Sequence, residues 1–226
     1  MTSHKMHITL MLALTFSTGV VDAVGYLGYD RIFTGNMTGN VVVLGMALTG
    51  AEGLPVLRPA LALLLFIVGA ALGGRLLPST KGVWTRATSG LFFVVGLGLV
   101  ATSVFAAFSD AHTSSVAGTI TTSAVAALMG MQAAAARRLG VADVTTVVVT
   151  STIVGLASDS KLAGGDSDKW VRRFLAVLLI LLGALVGAAS LHVNHWLGIV
   201  LAAVLVMATA AWGEAHRRQT ARLDVA

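Results

Sequence analysis

The chain has 226 residues, of which 56 % are hydrophobic and only 11 % are charged, whereas a soluble domain carries about 25 % charged residues. This composition excludes a protein whose whole surface faces water, and the absence of cysteine excludes a disulfide scaffold or a thiolate metal site. The net charge of +5 comes from scattered Lys and Arg rather than from a basic face, which excludes a nucleic-acid-binding protein. We therefore expect an all-α polytopic membrane protein that forms one membrane domain over residues 1–226, with the lipid bilayer as its main partner.

Eight apolar runs follow one another along the chain, and we name the first four A to D and the last four A′ to D′. They cover residues 8–29 (A), 32–48 (B), 59–77 (C), 89–108 (D), 116–136 (A′), 141–157 (B′), 174–191 (C′) and 197–211 (D′). A bilayer core about 30 Å thick needs roughly 20 apolar residues to cross it, so six runs are ordinary spans. Runs B and B′ are short, and B contains Thr, Gly and Asn residues that a lipid-facing helix disfavours.

The distribution of positive charge decides whether B and B′ cross the membrane, because cytoplasmic loops are enriched in Lys and Arg. If all eight runs cross, nine Lys and Arg lie on one side and six on the other. If B and B′ instead return to the side from which they enter, one side holds thirteen of the fifteen and the other holds only Arg31 and Arg58. The sequence therefore predicts six spans, two re-entrant or broken segments, and both termini in the cytoplasm of a bacterial inner membrane protein.

The two halves of the chain resemble each other. A shift of 114 residues matches eight of the sixteen positions from residue 58 to residue 73, including both glycines of a Gly-x-x-x-Gly pair. A weaker match relates run B to run B′ at a shift of about 112. With three true spans in each half, residues 8–108 and 116–211 form an inverted internal repeat, which is typical of secondary transporters.

Run B carries the most informative motif. Residues 34–40 read Thr-Gly-Asn-Met-Thr-Gly-Asn, and a helix-forming run follows. Asn or Thr at a helix start caps free backbone N–H groups, and Gly allows close approach. In B′, the β-branched residues 144–149 precede the cap candidates at 150–152. Both segments are therefore predicted to be extended first and helical afterwards.

Two half-helices that begin near the membrane centre would present unpaired N–H donors and partial positive charge to one site, which suits an anion or a carbonyl oxygen. The predicted substrate-binding residues are Asp22, Thr34, Asn36, Thr38, Asn40, Gln132, Thr150, Ser151 and Thr152. The alternative is that Gly35 and Gly39 form only a close helix-packing face.

Asp22 is the one acid in the core of a predicted span. An intramembrane carboxylate is costly and often carries a proton or a cation. The alternative is that Asp22 accepts hydrogen bonds from the interrupted backbone of B. Gln132 lies at about the equivalent place in A′ and would add a polar group from the second half, although such a residue is often only an interhelical hydrogen bond.

The remaining motifs favour structural roles. Gly69 and Gly73 in C, with Gly183 and Gly187 in C′, are expected to let these two spans pack together or against another subunit. His192 and His195 lack acidic or Cys partners, so we expect interfacial histidines and no metal or other cofactor.

Four segments together resemble the YoaK-like family of bacterial membrane proteins, a group defined by a domain of unknown function. They are Thr-Gly-Val-Val-Asp-Ala at residues 18–23, Phe-Thr-Gly-Asn-Met-Thr-Gly-Asn-Val at 33–41, Leu-Met-Gly-Met-Gln-Ala-Ala at 128–134 and Val-Thr-Ser-Thr at 149–152. The second half departs from the pattern, with Ala133 where an Asn often follows the Gln and Ser151 where a Gly is usual. The resemblance implies about six spans in the bacterial cytoplasmic membrane and supplies no substrate.

Three function classes remain. The first is a small secondary transporter, or a channel, for a small anionic or polar solute, with possible proton coupling through Asp22. The second is a membrane enzyme, which we do not expect because no nucleophile, base and metal constellation is present. The third is a non-transporting assembly or sensor subunit. A homodimer is compatible with each.

Overall fold

The structure is a computed structural model and describes residues 3–51, 53–79, 82–140, 149–167 and 169–223. Within these residues the chain is helical and contains no strand. The helices are α1 (Ser3–Gly28), α2 (Met37–Leu48), α3 (Leu57–Leu76), α4 (Arg86–Phe108), α5 (Ser115–Leu139), α6 (Val149–Ser158), α7 (Trp170–Ser190) and α8 (Leu197–Leu223), with a 3-10 turn at Lys161–Ala163.

Six of these helices are long and apolar enough to cross a membrane, which confirms the predicted all-α polytopic architecture. Helix α2 has 12 residues and α6 has 10 described residues. At 1.5 Å per residue, each measures about 15–18 Å, which is roughly half of the hydrocarbon thickness. The predicted extended part of B′ at residues 141–148 lies outside the described residues.

Two helix boundaries differ from the apolar runs. Helix α2 begins at Met37, because the Asn36 side chain caps it by accepting a hydrogen bond from the Gly39 N–H. Helix α8 continues well beyond residue 211, where the predicted run ends. Glu214 pairs there with Arg217 and Arg218 at 2.7 and 2.8 Å, and ion pairs at this spacing support a polar helix.

The two halves interlock rather than lie side by side. Helix α1 packs against α7, and its counterpart α5 packs against α3, which is the counterpart of α7. Helix α1 also contacts α8, and α5 makes the corresponding contact with α4. The last spans of the two halves, α4 and α8, pack against each other. Exchanging the two halves therefore reproduces the helix contacts.

Glycines allow these contacts at the same positions in both halves. A Cβ atom at Gly69 would overlap the carbonyl oxygen of Ala127 in α5, and one at Gly183 would overlap that of Phe16 in α1. Gly73 and Gly187 lie against the same two partner helices. Of the two expected arrangements, packing of C against C′ does not occur, because α3 and α7 each use their glycines against the first span of the other half. Packing of these spans against another subunit stays a prediction.

One cation joins three helix ends at one face of the bundle. The Arg58 guanidinium, at the start of α3, donates hydrogen bonds to the carbonyls of Tyr29 and Ser115 at 3.4 and 3.1 Å. Tyr29 follows α1 and Ser115 begins α5, so the chain leaves α1 and enters α3 at the same face. Residues 29–56, including α2, therefore enter and leave at one face, which supports the predicted re-entrant segment. The orientation of the two halves in a bilayer stays a prediction.

Candidate functional site

Asp22 holds the loop that interrupts the helical path between α1 and α2. Its Oδ1 atom accepts hydrogen bonds from three consecutive backbone N–H groups, those of Thr34, Gly35 and Asn36, at 2.9, 2.7 and 3.3 Å. Backbone donors inside a membrane have no water to bond to, so each needs a protein acceptor. The carboxylate supplies one acceptor for all three, as the alternative interpretation of Asp22 anticipated.

Asn40 holds the same loop from the other side. Its Oδ1 accepts from the Phe33 N–H at 2.9 Å, and its Nδ2 donates to the Phe33 carbonyl at 2.6 Å. Asn40 is completely buried within α2. The Phe33 ring lies where a Cβ atom at position 39 would be, so Gly39 provides room for the loop rather than a contact with another helix. Gly35 lies against the Thr18 methyl group, so the absence of a Cβ there lets the loop approach α1 closely.

A groove of about 580 Å³ lies beside this loop, between α1 and α7. Asp22 and Asn36 provide its polar groups, and its other walls are mainly apolar. Asp22 is 8 % exposed, and in the described part of the chain its second carboxylate oxygen, Oδ2, takes part in no hydrogen bond. One oxygen of Asp22 therefore fixes the backbone, while the side chain also borders a space large enough for a ligand.

The other predicted site residues do not converge on this groove. In the part of the chain that the structure describes, helices α2 and α6 make no contact with each other. Thr38, Thr150 and Ser151 are exposed, and Thr152 is buried in α6. That these residues share one binding site with Asp22 stays a prediction.

Buried polar atoms lie between α1 and α5 instead. The Oγ1 atoms of Thr34 and Thr121 and the Tyr29 hydroxyl are buried and have no hydrogen-bond partner among the described residues, and these three residues border a small cavity of about 10 Å³. Within the same described ranges, both amide atoms of Gln132 in α5 are also buried without a partner. Gln132 is therefore a buried polar group of the second half, but it does not border the groove beside Asp22.

Arg173 was not predicted to hold a re-entrant segment. It is 7 % exposed at the start of α7, and its Nη1 donates to the Gly155 carbonyl at 2.5 Å and to Asp159 Oδ2 at 2.6 Å. The available signal was the proximity of Asp159 and other charges in the preceding loop, which offer a buried arginine a partner.

His112 and His195 lie at the other face of the bundle from Arg173, near the end of α1. The rings of His112 and His195 stack with centroids 3.9 Å apart and join the α4–α5 loop to the α7–α8 loop. Partial burial, together with the neighbouring His112, lowers the pKa of His195 from its ordinary value. Stacked rings hold loops together, and this arrangement does not direct two ring nitrogens at one metal ion.

Comparison with known proteins places this arrangement among membrane proteins. The family model described as protein of unknown function (DUF1275) matches residues 10–212. The UPF0700 transmembrane protein YoaK of Bacillus subtilis (strain 168) is 30 % identical over 217 residues, which cover 89 % of this chain and 93 % of the relative. No solved structure matches the chain. These matches confirm the resemblance to the YoaK-like family.

Proposed function

Since this chain belongs to the DUF1275 family, is 30 % identical to the transmembrane protein YoaK and has six helices able to cross a membrane, we propose that it is a small secondary transporter. Its substrate is a small polar solute, and the groove beside Asp22 is the binding site. The observation that carries the proposal is a carboxylate within a predicted span that borders a groove next to an interrupted helix. Intramembrane carboxylates of this kind mark ion and substrate pathways.

The hydrogen bonds of Asp22 refine the solute. The N–H groups that would attract an anion already donate to Asp22 Oδ1, so an anion would have to displace this carboxylate. A solute that donates hydrogen bonds can instead reach the second oxygen from the groove. A proton can bind at the same carboxylate, which gives a physical route to proton coupling.

The repeat supports a transporter over a static subunit. Inverted repeats with interrupted helices in corresponding positions allow one part of a transporter to move against the other and expose a site alternately to each side. Here α2 and α6 are the corresponding short helices, and exchanging the halves reproduces the helix contacts. The proposal places the protein in the bacterial inner membrane with both termini in the cytoplasm, because this orientation gives the strongest positive-inside bias.

The test uses purified protein in liposomes that contain a pH-sensitive dye. Inward gradients of single amines, amino acids, sugars and carboxylates are imposed one at a time, and proton flux and labelled-solute uptake are measured. We expect saturable uptake with proton flux for at least one hydrogen-bond-donating solute, and loss of both in Asp22→Asn. Thr220→Ala, at an exposed position near the end of α8, is the control.

The proposal fails if Asp22→Asn transports each solute at the wild-type rate with the same proton flux. It also fails if neither protein moves any solute of the panel, a result that favours an assembly or sensor subunit. Uptake that does not saturate would favour a channel.

A further inference from the structure

The groove beside Asp22 combines two properties that a site for small water-soluble solutes does not need. Asp22 and Asn36 form a polar part of its lining, and the rest consists mainly of small and aliphatic side chains of α1 and α7. Its volume of about 580 Å³ falls within the range of about 300–1,000 Å³ that is typical of sites for drug-sized ligands. A ligand that matches the whole groove is therefore amphipathic.

The groove opens sideways, toward the side of the bundle that faces lipid. Leu27 of α1 and Leu181 and Leu185 of α7 line it and are 62 %, 56 % and 58 % exposed. Leu181 and Leu185 lie well inside α7, where exposed leucines contact hydrocarbon in a bilayer, and Leu27 lies near the end of α1. An amphipathic molecule dissolved in the membrane can therefore enter without crossing a water-filled vestibule.

The charge of Asp22 selects among amphipathic ligands. Within the described residues no salt bridge to Asp22 is formed, and its three bonded donors are neutral backbone N–H groups. A charged carboxylate in a membrane is stabilised by a nearby cation, whereas a second anion would repel it. An ammonium group can donate hydrogen bonds to Oδ2 and balance this charge while its apolar part lies along α7.

We infer that the groove between α1 and α7 binds an amphipathic amine, with the ammonium at Asp22 and the apolar body against Ala23, Leu181, Leu185 and Ala188. The inference rests on the proposed function and narrows its polar solute to one whose polar group is an ammonium and which also carries an apolar body. Since a bound ammonium and a bound proton exclude each other at one carboxylate, exchange of the two at Asp22 supplies the coupling.

Binding can be measured without transport. The protein is placed in lipid nanodiscs and titrated with dansylcadaverine, a fluorescent amphipathic primary amine. The comparison probes are N-pentyl dansylamide, which lacks the amine, and dansyl-aminohexanoic acid, which carries a carboxylate instead. Empty nanodiscs give the background of partitioning into lipid. We expect the amine to bind wild-type protein at least about tenfold more tightly than either analogue, which corresponds to about 1.4 kcal/mol.

Two variants separate the charge from the shape of the groove. Asp22→Asn keeps an oxygen that can accept from the loop, and we expect it to lose the preference for the amine. Ala188→Phe fills the groove, and we expect it to weaken binding of the amine at least about tenfold. Ala189→Phe is the matched control, because Ala189 is the next residue of α7, is exposed and does not line the groove.

The inference is overturned if the amine and its neutral analogue bind wild-type protein equally, or if Asp22→Asn keeps the preference. It is also overturned if Ala188→Phe binds the amine as wild type does. If Asp22→Asn does not elute as a single folded species in size-exclusion chromatography, the inference is still tested by the three probes on wild-type protein and by the Ala188→Phe and Ala189→Phe variants. Amine binding without solute-driven proton flux would support the amine site and contradict the transporter proposal. Proton flux driven by another solute, without amine binding, would support the transporter proposal and contradict the amine site.

Discussion

Both halves contain one short helix, and the described contacts hold the two short helices at different ends. In the first half, Asp22 and Asn40 bind the loop that precedes α2, so the N-terminal end of this short helix is fixed to α1. In the second half, the described contacts place Arg173 of α7 at the C-terminal end of α6, on Gly155 and Asp159. The glycine contacts between the long helices, in contrast, are repeated in both halves.

This difference shows which parts of the repeat are scaffold and which are specialised. Gly19 and Gly130 occupy equivalent packing positions, since the first lies against Ile180 and Ala184 and the second against Phe66 and Ala70. The residue three positions after Gly19 is Asp22, and the residue three positions after Gly130 is Ala133. The second half therefore has no carboxylate at the position where the first half carries its candidate ligand group.

The largest expected effect is all-or-none and concerns the orientation of the two segments. We expect a cysteine at Ala51, between α2 and α3, to react with an impermeant maleimide in intact cells, and a cysteine at Leu162, after α6, to react only after permeabilisation. Both positions are exposed, and the native chain contains no cysteine. Protection of both cysteines would mean that α2 and α6 belong to full crossings and that the halves are parallel.

The next largest effect is on the stability of the first segment. Asp22→Ala leaves three buried N–H groups without their acceptor, and we expect a loss of about 3 kcal/mol in the free energy of unfolding. Asp22→Asn keeps one acceptor oxygen and is expected to lose about half as much. Unfolding in mixed micelles with increasing SDS measures both. Wild-type stability of the alanine variant would show that the loop does not depend on this carboxylate.

Glycine substitutions test the equivalence of the halves. Because Gly69→Ala and Gly183→Ala each place a Cβ against a backbone carbonyl of the partner helix, we expect similar losses of about 1–3 kcal/mol. Gly74→Ala is the matched control, since a Cβ there meets open space, and it should be neutral or slightly stabilising. The same unfolding assay applies, and clearly unequal losses at Gly69 and Gly183 would argue against equivalent packing.

The smallest effect is expected in the second segment. Arg173→Met removes the hydrogen bonds to Gly155 and Asp159 but preserves most of the side-chain volume, so we expect a loss of about 1–2 kcal/mol. Proteolysis in the α6–α7 loop should also become faster, which can be followed on gels. Arg222→Met, at an exposed position in the last turn of α8, is the control. Unchanged proteolysis and stability would mean that other contacts hold α6.

Much of the fold follows from local sequence properties. The length of an apolar run determines whether a helix can cross the bilayer, and six spans and two short helices follow directly from it. The Asn36 cap and the break before α2 follow from the tendency of Asn and Gly to end regular backbone. The polar end of α8 was missed because it is supported by ion pairs of Glu214 and not by apolar residues.

Helix partners and site contacts were harder to predict. The spans are apolar on all sides, so their sequences do not show which face is turned toward which neighbour. The prediction therefore paired C with C′, whereas each packs against the first span of the other half. Asp22 reaches backbone groups 12 to 14 residues further along the chain, and no periodic pattern reports such a contact. The separation of α2 from α6 likewise depends on the whole assembly.

The interlocked halves also have a consequence for biosynthesis. Among the described helices, α1 contacts only α5, α7 and α8, all of which emerge from the ribosome more than 80 residues later. The small-residue faces of the first span therefore stay uncovered in the membrane until the second half is inserted, whereas its carboxylate can bond the loop at residues 34–36 much earlier. Because both halves belong to one chain, each face and its covering helix are always made in a one-to-one ratio.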